Sequence, residues 1–334
     1  MTDLSLPIYN NPEAAREHME KVRWPNGPVC PHCGAPAEMA HKLEGKKKTF
    51  RDGLYYCRQC REQFTVTVGT VCEHSHIPLH KWVLAFHLMG ASKKGISALQ
   101  LQRMLGLGSY RSAWFMAHRI REAMREIDPA PLGGEGKTVE ADETFHGPAT
   151  YKLHPTKGWQ SKRSAYTKRD KIVSLVERGG KARSIKVEDI SIATLREVAL
   201  KNINQLSILN TDEGWSKPQI GAYFADHQRV NHSKKEYARG ATTTNTVEGF
   251  FSIFKRGMIG TYQHCGEQHL HRYLAEFDFR YNNRVALGVN DDQRAIAAIK
   301  GAEGKRLTYR RSHKEASKEP SNVWNNVRSP LNPR

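Results

Sequence analysis

Two C-x-x-C pairs, CPHC at 30–33 and CRQC at 57–60, constrain this chain more than any other feature, with 23 residues lying between them. Zinc takes four soft ligands in a tetrahedron, and each C-x-x-C knuckle offers two thiolates to one side of an ion. Two knuckles close the site and leave no open position for catalysis. The stretch from Cys30 to Val68 reads as short strands broken by Gly and Pro, too few to build a large core, so the metal must supply folding energy. The spacing is slightly long for such a site, and a hairpin within 42–53 absorbs the excess. The pattern predicts a zinc ribbon over residues 20–70, with structural Zn²⁺ on Cys30, Cys33, Cys57 and Cys60. Cys72, near His74 and His76, is a weaker grouping of the incidental kind, and Cys265 has no partner in sequence.

At 334 residues the chain exceeds what one core comfortably serves, so further modules are expected. Its net charge of +18 points to a polyanionic partner, a property shared by ribosomal, membrane-surface and nuclease proteins. No segment approaches the roughly 18 apolar residues of a membrane span, and the N-terminus lacks a signal-peptide core. A cytoplasmic protein without a membrane partner is expected, with cysteines serving as ligands or free thiols rather than disulfides.

Residues 75–127 read as a helical unit. Trp82, Ala85, Phe86 and Met89 make one apolar stripe, and Leu99, Leu101, Leu105 and Leu107 fill a second. The run 95–124 has a helix-turn-helix layout, with Gly106 and Gly108 in the turn and a second helix starting near Ser109. Ser109, Tyr110 and Arg111 stand where a recognition helix reaches bases or phosphates, and Arg103 precedes them; a plain packing hairpin is the alternative. After the linker 128–134 the pattern changes to strand, hairpin around Gly179-Gly180, helix, strand and helix. That order indicates a mixed α/β layer covered by helices over 135–300. Residues 302–334 are basic, rich in Pro, Asn and Ser, and expected to be a disordered tail.

VEADETFHG (139–147) has a strand pattern with Asp142 in its middle, where burial is costly without a positive partner or a divalent cation. QLSILNTDEGW (205–215) is a short apolar strand ending in Asp212. In TNTVEGFFSIFKRG (244–257), Val247, Phe250, Phe251 and Phe254 form the buried stripe of a helix, and Asn245, Glu248, Ser252 and Lys255 share its flank. Asp142, Asp212 and Glu248 together suit two-metal phosphoryl transfer, which needs a bridging carboxylate and one on either side. Glu140 shares the face of Asp142 and is an alternative ligand, whereas Glu143 is expected to point the other way. The basic loop with Lys162, Arg163, Lys168 and Arg169 reads either as a DNA contact or as a solvated face.

VEADETFHG, VERGGKARSIKV, NTDEGW, VNHSKKEYARG, TNTVEGFFSIFKRG and HLHRYLAEFDFRYNNR resemble, in order, the bacterial insertion-sequence DDE transposases with an N-terminal zinc ribbon, the ISXO-like group. The likeness covers roughly residues 20–310. It implies an RNase H-like catalytic domain with Asp142 on its first strand, Asp212 after its fourth, and Glu248 on the following helix, holding two Mg²⁺ or Mn²⁺ ions. Asn245, on the same flank, is the alternative third residue. Lys255, with Arg256 beside it, is placed to meet a DNA phosphate. The implied activity is metal-dependent 3′ nicking and strand transfer at terminal inverted repeats, in the bacterial nucleoid, by a homo-oligomer of at least two copies on DNA. The alternatives are a non-catalytic DNA-binding regulator and an RNase H-like nuclease or resolvase.

Overall fold

Alternating clusters of thiols and aromatics shape the N-terminal part of the computed structural model, which describes residues 3–44, 50–147, 151–154, 158–161, 169–212, 215, 218–234, 236 and 238–308. A single turn, α1 (Pro7–Asn10), leads into α2 (Pro12–Arg23), whose first N–H groups at Glu13 and Ala14 are accepted by the Asn11 side chain. Strands β1 (Ala40–Lys42), β2 (Tyr55–Cys57) and β3 (Gln63–Phe64) form an antiparallel ribbon in that order. Tyr55 and Phe64 stack at 5.5 Å on the ribbon, and Trp24 meets both rings edge-on.

Helix α3 (Leu79–Ala91) buries Trp82, Ala85, Phe86 and Met89, the expected stripe. Helix α4 (Ala98–Leu105) ends on Gly106 in the left-handed conformation, where a glycine carries no steric penalty. Helix α5 (Tyr110–Met124) then starts from Ser109, whose hydroxyl accepts the Ser112 N–H. Leu101 and Leu105, four residues apart, take the inner face of α4. Leu99 was expected beside them but is 46% exposed. Two residues of helix turn it roughly 200° away from Leu101, onto the outer face with Arg103.

The second body is a five-stranded sheet. β4 (Thr138–His146) is central, and a separate hairpin joins β5 (Tyr151–His154) to β6 (Gly158–Ser161). β7 (Asp170–Glu177) and β8 (Ala182–Val187) run antiparallel on one side of β4. Beyond helix α6 (Ile192–Asn202), β9 (Ile208–Thr211) pairs parallel on its other side, so that Ala141 faces Thr211. After the turn α7 (Pro218–Gly221), β10 (Asp226–Arg229) completes the order β10-β9-β4-β7-β8. A short pair, β11 (Ala238–Arg239) and β12 (Thr242–Thr243), precedes α8 (Asn245–Gly257), and α9 (Leu270–Asn282) follows.

Alternation along the strands divides the sheet between two cores. Val139, Ala141, Val173, Leu175 and Leu209 pack with Leu195, Val198 and Ala199 of α6. Ile172 and Val176 pack on Val247, Phe250, Phe251 and Phe254 of α8 and on Phe277 of α9. The last helix among the described residues, α10 (Asp291–Lys300), lies against α3 instead of the sheet. Its Ala298 and Ile299 belong to the same core as Trp82, Phe86 and the ribbon's Cys57 and Phe64.

Candidate functional site

The four ribbon thiols converge as the spacing required. Cys30 and Cys60 sulfurs lie 3.6 Å apart and those of Cys33 and Cys57 3.7 Å apart. A tetrahedron with zinc–sulfur bonds of about 2.3 Å has edges of about 3.8 Å, so four thiolates at this separation fit one zinc ion. Glycine suits the first knuckle, where Gly34 has φ +74°, and Arg61 takes the same left-handed conformation after the second. Cys72 is buried in the core away from this set, and His74 stays exposed, so the C-x-H-x-H run forms no metal-sized cluster among the described residues.

A second gathering of ligand atoms lies at the end of the central sheet. Oxygens of Asp142, Glu143 and Asp212 come within 4.8 Å of one another. Asp142 projects to the α8 side, opposite Ser174, and its Oδ1 accepts the Glu143 N–H at 2.7 Å. Burial, then the charges of Asp212 and Glu143, push its carboxyl up to about 8. That crowding of negative charge is the environment a divalent cation relieves. Burial and the charge of Asp212 raise Glu143 as well, opposed by a hydrogen bond from the Trp215 indole to Glu143 Oε2 at 2.8 Å.

Glu143 is a correction to the expectation from strand alternation. It does sit on the opposite face, facing Trp215. However, β9 ends at Thr211, opposite Ala141, so β4 runs on past its neighbour with that flank open. Carboxylates from both faces therefore reach round the end of β9 towards Asp212. Glu140 is the converse correction. Although it shares the face of Asp142, its fully buried carboxylate is taken up by the Arg178 guanidinium at 2.7 Å and by the N–H groups of Thr246 and Val247 at 2.7 and 3.0 Å. It anchors the start of α8 and is not among the clustered ligands.

Glu248 stands one turn into α8, exposed, with its Oε1 accepting the Thr244 hydroxyl at 2.9 Å. It lies outside the three-residue cluster, but its charge contributes to raising Asp142. Asn245 and Lys255 share this exposed flank, and Arg256 is also exposed. Asn245 donates its backbone N–H to the Thr243 hydroxyl. Arg103, Ser109, Tyr110 and Arg111 are all exposed around the start of α5. Lys162, Arg163 and Lys168 lie outside the described residues, and Arg169 is half-buried just before β7. Glu143, Trp215 and Arg178 escaped the sequence reading as parts of the site; the doubled acid Asp142-Glu143 was the available signal for the first.

A ribbon whose four thiols fit one zinc ion, followed by an α/β domain with carboxylates crowded at one sheet end, defines a protein of two-module, acid-centred design. Comparison with known proteins shows what that design is similar to. Residues 10–63 match the transposase zinc-ribbon domain, and residues 131–282 match the ISXO2-like transposase domain. Both matches are to transposase domains, the first over the ribbon and the second over the sheet. The chain is also 24% identical over 288 residues, 83% of this chain and 93% of the other, to an uncharacterized protein in the transposable element ISH50 of Halobacterium salinarum. No helix among the described residues is long and apolar enough to cross a membrane.

Proposed function

We propose that the protein is a DNA transposase that nicks insertion-sequence ends to expose 3′-hydroxyls and joins them to target DNA. The observation that carries this is the approach of Asp142 and Asp212 from neighbouring strands inside the residues that match the transposase domain. The antiparallel run β4-β7-β8 with β9 and β10 added in parallel supports an RNase H-like reading of the sheet. Asp142, Asp212 and Glu248 would hold Mg²⁺ or Mn²⁺. Bound there, such ions would supply activation of the attacking oxygen and stabilisation of the leaving one.

The protein's own groups do the rest. The phenylalanines of α8 and the Glu140 anchor hold the helix that carries Glu248, whose charge is felt at Asp142. Lys255 and Arg256 offer positive charge to the strand being cut. The ribbon and the exposed start of α5 bind the terminal inverted repeats, and a homo-oligomer of at least two copies brings both ends together in the nucleoid.

Labelled element ends incubated with protein and Mg²⁺ test the proposal, read as 3′ nicks and joined products. Nicks without joining would indicate a nuclease or resolvase, and binding without either product a non-catalytic regulator. Asp142→Asn, Asp212→Asn and Glu248→Gln should each abolish nicking while leaving end binding intact. If Glu248→Gln cuts normally and Asn245→Ala is dead, Asn245 is the third residue.

A further inference from the structure

We infer that Glu143 is a fourth carboxylate of this site, ligating the divalent cation alongside Asp142 and Asp212, and that the buried indole of Trp215 aims it. The inference rests on the proposed metal-dependent reading of the acidic cluster and adds a residue pair to it.

Three observations carry it. Glu143 belongs to the sheet face lined by Val139 and Ala141, which pack in the α6 core, so its carboxylate is drawn out of water on that side. Its oxygen nevertheless ends within 4.8 Å of ligand atoms on Asp142 and Asp212, a gathering of carboxylates close enough to share one cation. Finally, the side-chain donor it meets among the described residues is the neutral N–H of Trp215, fully buried and three residues beyond Asp212.

The contrast with Glu140, three residues earlier, is instructive. Glu140 receives a guanidinium and two helix N–H groups, a set that balances its charge within the protein. An indole has one hydrogen to give and fixes one lone pair of Glu143, whereas an ionised carboxylate has about four acceptor positions. Among the described residues the protein thus supplies orientation, and a cation would supply the charge balance. Trp215 lies only three residues beyond Asp212 in the chain, so the places of Asp212 and Glu143 are tied together. Glu143 touches the cation in this arrangement; Trp215 is a positioning residue.

The test is Mn²⁺ binding to the full-length protein with its ribbon zinc in place, followed by the electron paramagnetic resonance signal of free Mn²⁺ and by Mg²⁺ competition. Tb³⁺ luminescence excited through tryptophan provides a second signature. Asp142→Asn should abolish binding. Glu143→Gln, which keeps the side-chain shape, should weaken Mn²⁺ affinity about tenfold or more with an unchanged melting temperature. Trp215→Phe should weaken it less and lower the sensitised Tb³⁺ emission; if that variant does not fold, Glu143→Gln decides alone. Wild-type affinity in Glu143→Gln, with binding lost in Asp142→Asn, overturns the role of Glu143 and leaves the metal site standing. Wild-type affinity in both variants overturns the metal site itself, and the role of Glu143 with it.

Discussion

The carboxylate of Glu140, in the middle of the central strand, accepts the backbone N–H of Val247 at 3.0 Å, so the sheet itself caps the helix that carries Glu248. A negative charge at a helix N-terminus satisfies otherwise orphaned donors and complements the helix dipole. Arg178 completes the junction by donating to Glu140 and to the carbonyls of Ala241 and Thr243. Glu140→Gln should destabilise the protein by about 2–3 kcal/mol, less than a fully buried pair because Arg178 is partly exposed. Urea denaturation gives the stability. Nicking should fall with it as Glu248 drifts from Asp142, and unchanged activity would detach the cap from the chemistry.

A second buried charge joins the two bodies. Arg121 of α5 meets Glu276 of α9 at 2.6 Å, and Tyr262 donates its hydroxyl to the same carboxylate, also at 2.6 Å. Arg280 bonds to it as well, and the Arg121 guanidinium lies 4.1 Å from the centre of the Tyr273 ring. Glu276→Ala would strand two buried guanidinium groups and should cost about 3–5 kcal/mol. A loss below about 1 kcal/mol in chemical denaturation would show that water reaches these groups.

The pH dependence of stability should carry the mark of Asp278. Its carboxylate accepts the Ser184 N–H and hydroxyl, both at 2.7 Å, at the edge of β8, yet burial pushes its pKa up to about 7. A folded-state value above the ordinary 3.8 means that this residue favours folding fully below about pH 3.8 and loses that contribution as pH rises through about 7. Asp278→Asn, whose amide can still accept one bond and donate another, should flatten the fall in melting temperature between about pH 4 and 7. Equal slopes in both proteins would refute the assignment.

Metal removal should reach beyond the ribbon. Cys30 and Cys57 share one core with Trp82, Phe86 and Met116, so chelating the zinc should loosen α3 and α5 together with the knuckles. Buried Cys72, in that core, should become reactive to thiol reagents, whereas Cys265, packed against the α8 core, should be affected far less. Peptide-resolved mass spectrometry distinguishes the two sites.

Exposure of Arg111 at the start of α5 leads to a binding prediction. If it meets a phosphate, Arg111→Ala should weaken binding of all sequences alike and reduce the slope of log K against log salt by about 0.9. A loss confined to the element's own ends would indicate base reading instead.

Much of this was legible because periodicity and burial agree. The α8 stripe from Val247 to Phe254 and the strand around Asp142 follow directly from apolar spacing. β10 was not legible, since Asp-His-Gln-Arg at a sheet edge pairs through its backbone and shows no apolar alternation. α10 did leave a signal in Asn290 and Gln293, which form a capping box, but its apolar face is short. Glu143 shows the limit of strand arithmetic: alternation fixes which face a side chain leaves from, and the length of the neighbouring strand decides where it arrives.

The seating of α10 has a consequence for the order in which the molecule is completed. Arg294 bonds to the Gly90 carbonyl, Gly304 donates its N–H to the Gly69 carbonyl, and Lys305 holds the carbonyls of Ala123 and Arg125 at the end of α5. A chain emerging from the ribosome makes its ribbon and first helices early but cannot close their core until residues 291–305 have followed the whole sheet out. The body proposed to grip DNA is therefore finished last, and a chain cut short after the sheet would be left without a completed one.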